Sequence, residues 1–173
     1  MKARSMFVQV GTALALAVLF AIPVSAGDTS DGPAIGSMAQ PFALPDTTGK
    51  LARLSDYQPG IVMLNFWAFW CDTWKAEMPY LRDLSDEQDD LGFRIVAISV
   101  DGTRLPVFER NTRGKTPFPV LLDPGGAVSQ AYSIRHVPTV VLIDETGRVR
   151  YSAHGYPGNQ VILSEIRKIE SGK

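Results

Sequence analysis

Three runs between residues 60 and 145 are apolar at most consecutive positions rather than at alternate ones: Ile61 to Trp67, Phe93 to Val100 and Val140 to Ile143. Short, nearly continuous runs rich in β-branched residues predict strands covered on both faces. After Trp70 the apolar spacing becomes helical, which predicts a helix from about Cys71 to Gln88 with Pro79 inside it. A proline there removes one backbone hydrogen bond, so a single helix bent near Met78 is expected rather than two helices.

The remaining pattern fills in around these runs. Pro41-Phe42-Ala43-Leu44 and Leu51-Ala52-Arg53-Leu54 flank the polar stretch Asp46 to Lys50, the layout of a short hairpin. Leu105 to Arg113 is a short helix candidate. Pro119 to Leu122 reads as a strand closed by the turn Asp123-Pro124-Gly125-Gly126, and Ala127 to Tyr132 as a helix. The turn Asp144-Glu145-Thr146-Gly147 then joins the Val140 strand to a strand from Val149 to Ala153, and a last helix runs from Asn159 to Glu170. Strands alternating with helices and ending in a hairpin plus helix describe an α/β fold with a mixed central sheet.

Residues 1–26 change the picture of where the folded part begins. Lys2 and Arg4, an apolar run from Val10 to Val24 and the small residues Ser25-Ala26 have the layout of a secretory signal. The run spans 15 residues, whereas a membrane-spanning helix needs roughly 20. Cleavage is therefore expected, leaving no stable membrane anchor, and no cysteine follows the run to carry a lipid. Residues 27–36 hold little to bury and read as a flexible leader, and residues 37–173 as one domain. The chain carries 17 basic and 18 acidic residues, a balance that gives no basic patch for nucleic acid.

Export into an oxidising compartment makes the cysteine count informative, because Cys71 is the only cysteine. A lone exported cysteine is a buried filler, an intermolecular partner or a free reactive thiol. Cys71 falls where the Ile61 strand hands over to a helix. There, unpaired backbone N–H groups and the helix dipole favour the thiolate, the nucleophilic form.

The stretch Trp67-Ala68-Phe69-Trp70-Cys71, followed by Glu77 and Pro79, resembles the thioredoxin superfamily and within it the TlpA/ResA-like extracytoplasmic thiol-disulfide oxidoreductases, whose motif reads W-A-x-W-C-x-x-C-x-x-E-x-P. The hairpin order from Pro41 to Tyr57 extends the likeness, and Asp101 to Tyr132 matches the central insert of that group. One position departs: Trp74 stands where the second cysteine belongs. The resemblance implies a thioredoxin-like fold with an N-terminal β-hairpin and central insert, and a periplasmic or otherwise extracytoplasmic location. It also implies partners among cysteine-containing exported proteins, with cytochrome c biogenesis the group's common setting. Residue by residue it assigns Cys71 as nucleophile, Glu77 as the motif carboxylate that tunes it, and Pro138 as the cis-proline that exposes the backbone of Val137 to a docked peptide.

Without a second cysteine, a Cys71 adduct would last until an external thiol removed it, and a Cys71-linked dimer is a further outcome. Helical spacing places the Trp74 indole beside the sulfur, where an apolar cover opposes the dipole. Trp70, Trp74, Val137 and Pro138 are the expected groove. Glu77 is either a proton acceptor for Cys71 or a surface carboxylate between Lys75 and Arg82. Three functions stay open. The first is a monothiol oxidoreductase, and the second a redox-inactive binding module that holds a peptide in the aromatic groove. The third is a one-cysteine peroxidase, which the alanine at position 68 disfavours because that motif puts a hydroxyl residue there. No cofactor is expected, and one cysteine with the distant His136 and His154 is poor material for a metal centre.

Overall fold

The computed structural model describes residues 31–102 and 116–172. The signal segment and the helix candidate at Leu105 to Arg113 lie outside the described residues. The central sheet has five strands in the order β5-β4-β3-β6-β7. These are β3 (Ile61–Trp67), β4 (Phe93–Ser99), β5 (Val120–Leu122), β6 (Thr139–Ile143) and β7 (Val149–His154). β3 pairs in parallel with β4 and β4 with β5, whereas β6 runs antiparallel to both β3 and β7. The sheet is mixed, as the alternation of strands and helices predicts. β1 (Ala43–Pro45) and β2 (Leu51–Arg53) form the separate antiparallel hairpin, and Asp46 Oδ1 closes its turn by accepting from the N–H groups of Thr48 and Lys50.

The nearly continuous apolar runs bury both sheet faces. Along β3, Ile61, Met63 and Trp67 face one cluster and Val62, Leu64 and Phe66 the other, which is the period of 2 along a strand. The first cluster is roofed by α1 (Thr73–Asp86) through Trp74, Leu81 and Leu84, and by α3 (Asn159–Ser171) through Ile162, Ile166 and Ile169. The second lies under the hairpin residues Phe42 and Leu44 and under Tyr132, which follows α2 (Ala127–Ala131). α1 continues through Pro79 as one helix, beginning two residues after Cys71 rather than at it.

The expected leader differs in one respect. Residues 31–36 lie against the domain, because the Gly32 N–H donates to Ser133 O and the Gly36 N–H to Val149 O. Backbone hydrogen bonds, not buried side chains, hold this segment, and an apolarity pattern cannot register them. Gly32 adopts φ +94°, and a Cβ there would stand 2.3 Å from Ser152 Oγ, so the close approach to β7 requires glycine.

Candidate functional site

The C-terminal end of β3 lies beside Ser99 of β4, and the start of β6 lies opposite Phe66. The loop leaving β3 carries Cys71 across this end of the sheet. Asp101 shapes that loop: its Oδ2 accepts the Phe69 N–H at 2.8 Å and its Oδ1 accepts the Ser99 hydroxyl at 2.6 Å. The Cys71 N–H donates to Ala68 O, and Cys71 O accepts from Trp74 N–H as the helix begins.

Cys71 is a half-buried free thiol. Its S–H donates to Val137 O at 3.5 Å, and the Thr73 hydroxyl stands 2.9 Å from the sulfur. A hydroxyl can rotate to donate to a thiolate while the carbonyl serves only the thiol, so both forms find a partner. The Val137–Pro138 peptide bond is cis, the geometry implied by the family resemblance. Thr73 and Asp101 are site residues that the sequence reading did not reach. Thr73 carries a signal, a hydroxyl at the first helical position next to the thiol, whereas Asp101 carries none because it is 32 positions from the N–H it anchors.

A groove of about 200 Å³ has Trp70, Val100, Ile134, His136 and Val137 on its walls, and so adjoins Cys71 through its chain neighbour Trp70 and through Val137, whose carbonyl the sulfur contacts. Trp70 is 68% exposed. Two of the four expected groove residues therefore take that place. Pro138 is buried, and it is Val137 that faces the groove.

Trp74 corrects the expectation that it covers the sulfur or lines the groove. It is 4% exposed, its ring centroid lies 5.3 Å from that of Trp67, and its indole N–H donates to Phe69 O at 3.3 Å. The reason is where the helix starts. Three-residue spacing aligns side chains only within a helix, and Cys71 precedes the first turn of α1, so the indole turns into the core and leaves the thiol on the groove side.

Glu77 is buried rather than solvated between Lys75 and Arg82. It lines a cavity of about 10 Å³ together with Asn65, Trp67, Trp74, Met78, Leu81, Ala97 and Phe118, room for about one water molecule. Glu77 Oε2 and Asn65 Oδ1 both lack a hydrogen-bond partner there. Burial pushes the Glu77 carboxyl up to about 7, so near neutral pH it exists as acid and carboxylate together and can hold or release a proton inside the core. The half-buried tyrosine Tyr156 is also raised, first by burial and then by the charges of Glu77 and Asp83.

The two histidines are not scattered in space. His154 closes β7 opposite Thr139, and His136 lies three residues before Thr139, which accounts for ring centroids 4.9 Å apart. Asp31 from the N-terminal segment completes a cluster whose ligand-type atoms all lie within 4.8 Å of one another. The expectation that this chain offers no converging metal ligands is thereby corrected. Antiparallel pairing and the docked segment supply the convergence that sequence separation conceals.

Residues 35–152 match the model of the AhpC/TSA family. The thiol-disulfide oxidoreductase ResA of Oceanobacillus iheyensis is 38% identical over 146 residues, covering 82% of this chain and 76% of that protein. The ResA of Bacillus subtilis is 32% identical over 99% of this chain and 97% of its own length. Among solved structures, a Chlorobium tepidum protein described as a thiol:disulfide interchange protein DsbE superposes with a TM-score of 0.71 at 28% identity, covering 79% of this chain and 98% of that one. The pneumococcal exposed lipoprotein thioredoxin Etrx1 of Streptococcus pneumoniae gives a TM-score of 0.65 at 29% identity, covering 75% and 99%.

Proposed function

Because the chain belongs to the AhpC/TSA family of thioredoxin-fold redoxins and is related to the ResA thiol-disulfide oxidoreductases, we propose that it is an extracytoplasmic thiol-disulfide exchange protein working through the lone thiol of Cys71. The observation that carries this reading is the placement of the sulfur. It lies between Thr73 and the Val137 carbonyl, next to a groove walled by Trp70 and Val137, with the Trp74 indole turned away into the core.

The reaction follows from that geometry. The Cys71 thiolate attacks one sulfur of a partner's disulfide, a new S–S bond forms, the partner's own S–S bond breaks, and its second sulfur leaves as a thiolate. Trp74 supplies no second thiol to resolve the product. An external thiolate must then attack the mixed disulfide and expel one half. The partners are cysteine-bearing exported proteins. The signal-like residues 1–26 support that location, as does likeness to a protein described as an exposed lipoprotein.

The test is to expose reduced protein to glutathione disulfide and weigh the product. One glutathione per chain, held at Cys71 until a reductant is added and absent in Cys71→Ser, is the expected result. A thiol that forms no adduct until the protein is unfolded would overturn the reading. A non-reducing gel of the same samples shows whether two copies join through Cys71.

The exposure of Trp70 favours a second reading, in which the groove holds a peptide without redox turnover. Under it, peptide binding survives Cys71→Ser unchanged.

A further inference from the structure

Beyond the thiol, the most chemically specific grouping among the described residues is the meeting of Asp31, His136 and His154. Asp31 Oδ2 stands 2.8 Å from His136 Nδ1 and 3.6 Å from His154 Nδ1. Both histidines are exposed and Asp31 is half-buried, so an ion could enter from solvent.

We propose that Asp31, His136 and His154 form a binding site for one divalent transition-metal ion of the zinc type, with the remaining coordination taken by solvent. Two imidazoles and a carboxylate are the borderline nitrogen and oxygen donors that Zn²⁺ accepts, and three protein ligands leave the fourth tetrahedral position open. The spacing fits that geometry. Ligand atoms each about 2.1 Å from a tetrahedral ion stand about 3.4 Å from one another, and the two measured separations lie on either side of this value. A small rotation of two exposed imidazoles closes the difference.

The carboxylate is also held in place. Asp31 Oδ1 accepts the Arg135 N–H at 2.9 Å, which leaves Oδ2 toward the histidines. An outer hydrogen bond of this kind is how metal sites orient their ligands. The backbone beneath is pinned as well: the Gly32 N–H donates to Ser133 O, Thr139 Oγ1 donates to His136 O, and the Gly155 N–H donates to Pro138 O. A bound ion would tie three distant parts of the chain together. These are the N-terminal segment, the loop entering β6 and the end of β7. Because His136 and Val137 line the groove beside Cys71, the ion would sit at the rim of the thiol site without using the thiol.

The competing account of the same contacts is a plain carboxylate pairing with two imidazoles, which needs no metal. Calorimetric titration of the whole untagged chain with zinc chloride separates the two. The expected result is one ion per chain in the micromolar range, weakened at least about tenfold in each of Asp31→Asn, His136→Ala and His154→Ala, and unchanged in Cys71→Ser. The melting temperature should rise with added zinc in the parent and not in the three variants. Cobalt substituted for zinc gives a second readout, a tetrahedral visible absorption band present in the parent and lost in His154→Ala. An absence of binding across the micromolar range, a loss of binding in Cys71→Ser, or affinity retained in any one of the three ligand variants would overturn the site.

Discussion

The indole rings of Trp74 and Trp67 pack with centroids 5.3 Å apart on the core side of α1, while Cys71, three residues before Trp74, keeps its sulfur 3.5 Å from the carbonyl of the groove residue Val137. The residue in the place of the family's second cysteine thus serves the fold and not the thiol. Trp74→Ala should cost about 3–5 kcal/mol of stability, the range for truncating a buried tryptophan, measured by denaturant unfolding. Alkylation of Cys71 at neutral pH should stay within about threefold of the parent, since no cover is removed. A large acceleration in the folded variant would show that the indole does shield the sulfur.

Which features were legible in the sequence follows from how local their causes are. β3, β4 and β6 announce themselves because strands buried on both faces are apolar at most consecutive positions. The Cys71 junction and Pro138 were legible through motif order. Trp74 departs from its expected place because helical spacing does not reach back to Cys71, two residues before the helix begins. Glu77 carried a signal that its charged neighbours obscured: Trp74, Glu77, Leu81 and Leu84 share one helical face, and three of the four are apolar. Asp31, His136 and His154 carried none. His136 and Asp31 are 105 positions apart, and only sheet pairing and a backbone-tethered segment bring them together.

Thr73 is exposed, so its hydroxyl contributes little to the fold, but it stands 2.9 Å from the Cys71 sulfur. Thr73→Val keeps the shape and removes the donor. A hydrogen bond to the thiolate worth about 1 kcal/mol would be lost, and iodoacetamide labelling at neutral pH should slow by about two- to fivefold. The melting temperature should barely move. Unchanged labelling would mean that the hydroxyl points elsewhere in solution.

Trp70 gives the opposite dissociation from Trp74. At 68% exposure it supports little of the core, so Trp70→Ala should change stability by no more than about 0.5 kcal/mol. If the ring is the wall on which a partner peptide docks, the same change should weaken binding of a disulfide-bearing peptide by about tenfold, as aromatic anchors at interfaces do. Reaction with glutathione disulfide should be almost unaffected, because that small disulfide does not span the groove. An equal loss with both substrates would place Trp70 in the chemistry itself rather than in docking.

Glu77 makes a sharper, pH-dependent case. Its carboxyl is raised by burial from an ordinary value of 4.5 to about 7, so the folded state binds its proton more tightly than the unfolded chain does. This contribution to stability is fully present below about pH 4.5 and is lost as pH rises through about 7. Between pH 5 and pH 8 the parent should lose about 2–3 kcal/mol that Glu77→Gln does not, from the size of the shift at 1.36 kcal/mol per pH unit. Glutamine is neutral throughout and nearly isosteric, and the two proteins differ at this side chain alone, so the difference between their unfolding curves isolates this one group. At pH 8 the variant should therefore be the more stable protein. If the carboxylate also takes the proton from Cys71 during exchange, the variant gains that stability and loses rate, with mixed-disulfide formation slowing most where Glu77 is ionised, above about pH 7. Parallel curves for the two proteins would mean that the carboxyl reaches solvent or a partner when ionised. An unchanged exchange rate with the expected stability gain would make Glu77 a buried acid with no part in the thiol chemistry.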